Sequence, residues 1–294
     1  MSSEAERKVW TVMEMVRWTE GYLRERGFEN PRLNAELLLA GTLRLKRLDL
    51  YLQFDRPLTP EELAEFKVRL RRRAKREPLQ YIEGEAAFRD LVLRVDRRVL
   101  IPRSETEILV DTVLAWARGR EGLHALDVGT GSGAIALSLA TEGPFARVAA
   151  TDVSADALEV ARANHAAAAP ASPVEFHHGP VYAPVRGQSF DVVVSNPPYV
   201  GEAERDSLGA EVRDWEPALA LFAGDAGLDV IREIVSGAPE MLRPGGLLAL
   251  EIGWRQAEAV SELIRAADGL TEPVVRRDLE GRDRIVTAER GNRE

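Results

Sequence analysis

Residues 196–199, Asn-Pro-Pro-Tyr, place a carboxamide, two prolines and an aromatic ring directly after an apolar run. An amide nitrogen is a poor nucleophile, so a catalyst must hold it in line with the group that it attacks. The Asn196 side-chain oxygen and the Pro197 main-chain carbonyl can accept both hydrogens of a planar nitrogen, and Tyr199 can stack on its plane. Pro197 and Pro198 make the turn rigid because proline fixes φ. The segment predicts group transfer to a planar side-chain or base nitrogen.

A glycine loop is the second chemical motif, in the run Ala-Leu-Asp-Val-Gly-Thr-Gly-Ser-Gly at 125–133. Glycine lets a ligand approach the main chain closely, and the start of the following helix favours an anion. The loop residues that we expect to contact a cofactor are Gly129, Thr130, Gly131, Ser132 and Gly133. The loop alone fits nicotinamide and methyl-donor cofactors about equally well.

Two carboxylates flank this loop. Asp152 ends the next strand about 20 residues later, where a carboxylate can accept both ribose hydroxyls of either cofactor. Asp127 precedes the loop and can face an ammonium group of the cofactor, although an acid at a strand end often acts only as a cap or charge partner. The four histidines form no recognisable metal set, so we predict no metal site.

The elements that must position these residues follow from apolar spacing. Residues 8–76 show helical periodicity and predict a helical bundle, and 77–103 predicts a linker with a β-hairpin. A helix is expected after Ser104. From residue 123 onward, short β-rich runs alternate with helical segments, which predicts a doubly wound, mainly parallel sheet. The predicted strands are 123–128, 147–152, 172–177, 190–195 and 247–252. Two final runs, 272–277 and 283–288, predict an antiparallel hairpin at or near the sheet edge.

Composition narrows the class of protein. The chain has 294 residues, no cysteine and a net charge of −9, so disulfides, thiolate nucleophiles and Cys-based zinc sites are excluded. Residues 1–84 carry 17 Lys and Arg against 14 Asp and Glu, a net charge of +3, which leaves −12 for the remainder. The acidic C-terminal part argues against wrapping a long nucleic acid. With no apolar signal-like N-terminus and no run long enough for a membrane span, we expect a cytoplasmic protein without a membrane partner.

With these motifs and the blocks Glu-Pro-Leu-Gln-Tyr-Ile at 77–82, Pro-Arg-Ser-Glu-Thr-Glu at 102–107, Glu-Pro-Ala-Leu at 216–219 and Gly-Arg-Asp-Arg at 281–284, the chain resembles the release factor glutamine methyltransferases. The resemblance covers nearly the whole chain. It implies a Rossmann-like, seven-stranded, mainly parallel methyltransferase sheet in residues 104–294, a helical substrate-recognition domain in 1–76 and the hairpin linker in 77–103. It also implies methyl transfer from S-adenosylmethionine to the glutamine of the Gly-Gly-Gln motif in peptide chain release factors.

The resemblance also assigns roles to residues. It implies donor contacts at 129–133, Asp152 and Asn196, with residues 196–199 contacting the substrate glutamine. The position of Val181 borders the donor adenine in the family, where an aromatic residue is common, and Pro180 stands where aspartate is common. These two departures are expected to weaken donor binding. Arg103, Glu105 and Glu107 match a family signature near the active site, but ion pairs that secure the following helix explain them equally well.

Other interpretations stay open on the sequence. Asn-Pro-Pro-Tyr also occurs in nucleic-acid adenine methyltransferases, and the basic stretch 67–76 can contact RNA or an acidic protein, or simply complement a helix dipole. The departures at Pro180 and Val181 are also consistent with a weakly active binding module for translation-termination factors.

Overall fold

The computed structural model describes residues 9–291, so the N-terminal residues 1–8 considered above lie outside the described part. The chain divides into two compact units, Met1–Gly84 and Glu85–Glu294.

The first unit is a bundle of helices, as the periodicity predicts. Its helices are α1 (Val12–Arg24), α2 (Pro31–Leu43), α3 (Asp49–Leu52), α4 (Pro60–Ala74) and α5 (Leu79–Glu83). Thr11 and Thr59 begin α1 and α4 with capping boxes, in which each threonine side chain accepts a hydrogen bond from the backbone N–H of a glutamate three residues later. Leu23, Leu38 and Phe66 lie in its buried core. The short helices α3 and α5 were not predicted, because four or five residues give no clear periodicity.

Most guanidinium groups of the basic stretch 67–76 are bound within this unit. Their partners are Glu83 for Arg69, Glu77 for Arg72, Asn34 for Arg73 and the Arg26 carbonyl for Arg76. Lys67, Arg71 and Lys75 are exposed at intervals of four residues. Much of the stretch therefore helps to hold the bundle together, and three cations point to solvent.

The second unit begins with the antiparallel hairpin of β1 (Glu85–Phe88) and β2 (Leu91–Arg94). A seven-stranded sheet follows in the order β5-β4-β3-β6-β7-β9-β8, in which β3 to β7 run parallel while β9 and β8 are antiparallel to their neighbours. The strands are β3 (Leu123–Val128), β4 (Phe145–Asp152), β5 (Val174–His178), β6 (Phe190–Ser195), β7 (Leu242–Glu251), β8 (Val274–Arg277) and β9 (Asp283–Glu289). The predicted sheet and its terminal hairpin are confirmed.

Helices cover both faces of this sheet. They are α6 (Ser104–Ala117), α7 (Ala134–Glu142), α8 (Ala155–Ala168), α10 (Asp229–Met241) and α11 (Ala257–Ala266), whereas the short helix α9 (Ala210–Trp215) buries none of its residues. Val192 and Val194 pack in the cluster that contains α6 and α7, whereas Val193 packs in the cluster that contains α10 and α11. Both faces of β6 are thus buried, which accounts for its three consecutive valines.

Two central strands, β3 and β6, lie side by side although they are far apart in sequence. The buried Ser195 hydroxyl donates to the Val128 carbonyl over 2.6 Å and joins their carboxyl ends. The strand order reverses here: β4 and β5 lie on one side of β3, whereas β6 and β7 lie on its other side. Ligands of open α/β sheets bind at such a switch point, so the fold brings the two sequence motifs to one place.

Candidate active site

A cavity of about 320 Å³ opens at the carboxyl ends of these strands. Its lining includes predicted cofactor and substrate residues, namely Gly129, Thr130, Gly131, Ser132, Asp152, Val181, Asn196 and Pro198. Asp127, Gly133, Pro197 and Tyr199, which were also predicted, lie outside the lining. The glycine loop and the Asn-Pro-Pro-Tyr turn therefore face a common space.

The glycine loop needs its glycines for backbone conformation. Gly129, Gly131 and Gly133 have φ values of +73°, +55° and +87°, which residues with a Cβ atom rarely adopt. The N–H groups of Gly129 and Thr130 donate to the Thr151 carbonyl at 2.9 and 3.0 Å, which ties the loop to β4. Hydrogen bonds within the chain thereby set the shape of the loop.

Asp152 stands at the end of β4 and faces the cavity. Its two oxygens each accept one backbone hydrogen bond, from Gly131 and from Ser154, both over 2.8 Å. Burial raises the pKa of Asp152, while these hydrogen bonds oppose the rise. Each carboxylate oxygen keeps accepting capacity, so the group can take two further hydroxyl donors.

Asp127 is fully buried beneath the loop. Its Oδ2 accepts from the Thr130 hydroxyl over 2.6 Å and from the Ala136 N–H over 3.1 Å, so it secures both the loop and the start of α7. Its Oδ1 is buried without a hydrogen-bond partner. Burial raises the pKa of Asp127 to about 7. The residue thus serves as a cap, and its second oxygen is left without a hydrogen-bond partner among the described residues.

The segment 179–182 forms another wall. Val181 has a φ of +40°, which is strained for a β-branched residue, and its carbonyl accepts the Thr151 hydroxyl over 3.0 Å. Pro180 lines the cavity beside it. The Tyr182 ring packs against Gly237, and its hydroxyl donates to the Ile234 carbonyl over 2.8 Å, so this tyrosine supports the wall from behind.

Asn196 lies at the head of a chain of hydrogen bonds at the cavity floor. Its Nδ2 donates to the Thr106 hydroxyl over 2.9 Å, and that hydroxyl donates to Glu251 over 2.7 Å. The Tyr199 hydroxyl approaches the other Glu251 oxygen at 3.4 Å. Thr106 and Glu251 were not identified from the sequence as site residues, although Thr106 lies inside the 102–107 block. The contact joins positions 145 residues apart, so local spacing carries no sign of it.

Glu251 is 1% exposed, and burial raises its pKa to about 7, against the lowering effects of the Thr106 hydrogen bond and of the Arg284 guanidinium. Arg284 is held by Asp278 and by the Ile252 carbonyl. The block 281–284 therefore supplies a fixed positive charge near the carboxylate that supports Asn196.

The remaining members of the turn have distinct surroundings. Pro197 is buried, and Pro198 lines the cavity. The Tyr199 ring packs against the core formed with α10 and α11, and burial raises the pKa of its hydroxyl. Gly227 allows the turn to pass closely, since an added Cβ there would lie 2.1 Å from the Tyr199 carbonyl oxygen.

The 102–107 block is fixed by one ion pair and by hydrogen bonds. Arg103 lines the cavity and binds Glu216 over 2.6 Å, which fastens the block 216–219 to the same wall. Glu107 accepts the Arg89 N–H over 2.9 Å and so attaches the hairpin turn to α6. Glu105 accepts from the Ser104 hydroxyl over 3.0 Å.

Within residues 9–291, no group of His, Asp or Glu side chains is arranged to hold a metal ion. The described helices include none with the length and apolar character needed to cross a membrane.

Two family profiles match the chain. The family described as "PrmC N-terminal domain" matches residues 14–84, and the one described as "Methyltransferase small domain" matches residues 104–212.

Curated relatives match over nearly the whole length. A protein of Geobacter sulfurreducens named release factor glutamine methyltransferase is 43% identical, with 95% of this chain and 96% of that protein covered. Proteins of the same name from Chlorobaculum tepidum and Moorella thermoacetica are 44% and 45% identical, with 88% and 90% of this chain and 91% and 93% of those proteins covered.

Solved structures share the fold. A methyltransferase from Pyrococcus furiosus matches with a TM-score of 0.53 and 21% identity, covering 70% of this chain and 92% of that one. A T. thermophilus 16S rRNA N2 G1207 methyltransferase, solved with AdoMet and guanosine, matches with a TM-score of 0.50 and 20% identity, covering 70% of this chain and 49% of that one. At such identities the likeness shows the fold alone.

Proposed function

The chain belongs to the release factor glutamine methyltransferase family, and from that premise we propose that it methylates the side-chain amide nitrogen of the Gly-Gly-Gln glutamine in peptide chain release factors. The methyl donor is S-adenosylmethionine, the cofactor of this methyltransferase class. The observation that carries the proposal is that the glycine loop and Asn196 line a common cavity.

The donor side of the cavity suits S-adenosylmethionine, which supplies an electrophilic methyl group when bound. Asp152 keeps the accepting capacity that two ribose hydroxyls require. The start of α7 and the positive-φ glycines suit a carboxylate. The unpartnered Oδ1 of Asp127 matches the charge of an ammonium group. Val181, with Pro180, would border the adenine.

The acceptor side suits a primary amide. The Asn196 oxygen and the Pro197 carbonyl would take the two amide hydrogens and aim the nitrogen lone pair at the methyl group, while Pro198 and Tyr199 would shape the substrate pocket. As the new bond forms, the nitrogen becomes more positive, so both oxygens hold it more strongly than in the ground state. The product cation loses its proton readily, so the reaction requires no dedicated general base.

The division of labour along the chain is part of the same proposal. Residues 1–76 recognise the substrate, 77–103 form the hairpin linker and 104–294 carry out the transfer. The profile match to residues 14–84 and the division of the chain at Gly84 support an N-terminal recognition unit. Release factors work on the ribosome, which favours a cytoplasmic location. The exposed side chains of Lys67, Arg71 and Lys75 are available for incidental contact with RNA while the chain binds a release factor.

The test is a transfer assay with labelled S-adenosylmethionine. A release factor should be labelled, whereas the same factor with its motif glutamine changed to alanine should not. Equal labelling of both would contradict the proposal, and labelling of DNA or RNA without a release factor would select a nucleic-acid amino methyltransferase instead. Calorimetry with the donor separates an enzyme from a binding module, which would bind no donor.

A further inference from the structure

The orientation of the Asn196 carboxamide decides whether its side chain can accept an N–H from a substrate. A carboxamide has a donor end and an acceptor end on opposite branches, and rotation by half a turn exchanges them. With the donor end toward the cavity, Asn196 would meet the substrate amide hydrogens with hydrogens of its own. The active site therefore needs a device that selects one of the two orientations.

The chain of hydrogen bonds behind Asn196 has a single direction. Above its raised pKa of about 7, Glu251 is ionised and only accepts hydrogen bonds, so it accepts the one that the Thr106 hydroxyl donates. That hydroxyl then has only lone pairs to offer and must receive a hydrogen from Asn196. Nδ2 of Asn196 is thereby held toward Thr106, and the carbonyl oxygen is left for the cavity.

The surroundings of the chain make this selection effective. Thr106 and Glu251 are 4% and 1% exposed, so water competes little for their hydrogen bonds. Thr106 sits in the first turn of α6, and Glu251 ends β7 beside the antiparallel strand β9, so rigid elements hold both. Reversing the Asn196 amide would place its oxygen against a hydroxyl oxygen with no proton to share, which leaves a buried acceptor pair unsatisfied.

We propose that Thr106, oriented by Glu251, is a positioning residue that fixes the acceptor end of Asn196 toward the substrate amide. This inference rests on the proposed function and adds to it two residues that act behind Asn196. Neither is assigned contact with the reacting atoms. The effect of Thr106 on turnover is transmitted through Asn196 alone.

The experiment compares hydroxyl-free and hydroxyl-bearing variants in the full-length enzyme with an intact release factor. Thr106→Val keeps the shape of the side chain but removes the hydroxyl, and Thr106→Ser keeps the hydroxyl. Thr112→Val is the matched control, because the Thr112 hydroxyl donates to the Ile108 carbonyl within the same helix α6. For each variant kcat and the KM for the release factor are measured, with the donor Kd from calorimetry. The assays are run at about pH 8, above the raised pKa of Glu251, so that its carboxylate is mostly ionised.

We expect Thr106→Val to lower kcat about tenfold or more, a smaller loss than removal of the preorganised Asn196 contact itself would cause. The KM for the release factor and the donor Kd should each change less than about threefold. Thr106→Ser should stay within about threefold of the wild type, and Thr112→Val should match it. An unaltered kcat in Thr106→Val would overturn the proposal. So would an equal loss in Thr106→Ser, because the hydroxyl would then not be the cause.

A double-mutant cycle tests the route of the effect. If Thr106 acts through Asn196, adding Thr106→Val to Asn196→Ala should lower kcat no further, whereas multiplied losses would contradict the inference. Thr106→Ala serves in the same cycle if thermal unfolding shows that the valine variant does not fold. Failure of the wild type to methylate the factor would refute the proposed function itself, so the two failures are distinguishable.

Discussion

At the scale of single residues, the proposed role of Asp152 in binding the methyl donor can be tested by measuring donor affinity. We expect Asp152→Ala to raise the Kd for S-adenosylmethionine at least about tenfold, because charge-assisted hydrogen bonds contribute about 1.5–3 kcal/mol each. The readout is calorimetric titration of the donor. Asp156→Ala is the control, since Asp156 is an exposed carboxylate in the first turn of the neighbouring helix α8. Unchanged donor affinity in Asp152→Ala would remove this residue from the donor site.

Residue types and local spacing were enough to predict Asn196, the glycine loop and Asp152. Asn196 and the glycine loop belong to short contiguous motifs, and Asp152 follows from its position at the end of the next strand, about 20 residues after the loop. Thr106 and Glu251 could not be found in this way, because a threonine in a helix start and a glutamate at a strand end have many ordinary uses. Only the folded chain shows that they lie behind Asn196.

At the scale of elements, the end of α8 is conformationally strained. Ala169 ends this helix with φ +44°, in the left-handed region that costs a residue with a Cβ roughly 1 kcal/mol. We expect Ala169→Gly to raise the free energy of unfolding by about 0.5–1 kcal/mol, measured by chemical denaturation. Ala166→Gly, at an exposed position inside the same helix, should lower it by a similar amount. A destabilised Ala169→Gly would show that this cap is not strained.

The elements themselves were predicted well where patterns are long. The runs 123–128 and 190–195 coincide with β3 and β6, because both strands are apolar and are bounded by polar or glycine residues. Strand β7 begins at Leu242, five residues before the predicted start at 247. The prediction began late because Pro244, Gly245 and Gly246 are typical of a turn. In the folded chain Gly245 has a φ of +74°, so the backbone does turn there, and the register of β7 against β6 shifts between the Phe190–Leu242 and Val192–Leu247 pairs. The pairing of strands distant in sequence, such as β3 with β6, was not predicted, because local patterns carry no sign of which strands become neighbours.

At the scale of the whole molecule, two buried acids make stability depend on pH. Burial raises the pKa of Asp127 from 3.8 to about 7, so the folded chain keeps a proton that the unfolded chain has already released in this range. This stabilising contribution is complete below the pKa that Asp127 has in the unfolded chain, and it is lost as the pH rises through the folded-state pKa of about 7. Glu251 contributes in the same direction, because burial raises its pKa from 4.5 to about 7.

We therefore expect the free energy of unfolding to contain a component that falls between about pH 4 and pH 7. Asp127→Asn should remove part of that fall, because the amide does not titrate. Chemical denaturation across this pH range measures it, with Asp156→Asn as the exposed control. An identical pH profile in the wild type and Asp127→Asn would show that Asp127 does not keep its proton in the folded chain.

The central claim is that the Asn196 site methylates a release-factor glutamine. Its most direct measurement is fragment mass spectrometry of a release factor after incubation with S-adenosylmethionine and either the wild type or Asn196→Ala. We expect one added methyl group on the side chain of the Gly-Gly-Gln glutamine, formed about 100-fold or more slowly by the variant. A methyl group on any other residue, no methyl group at all, or equal rates for the two enzymes would contradict the account.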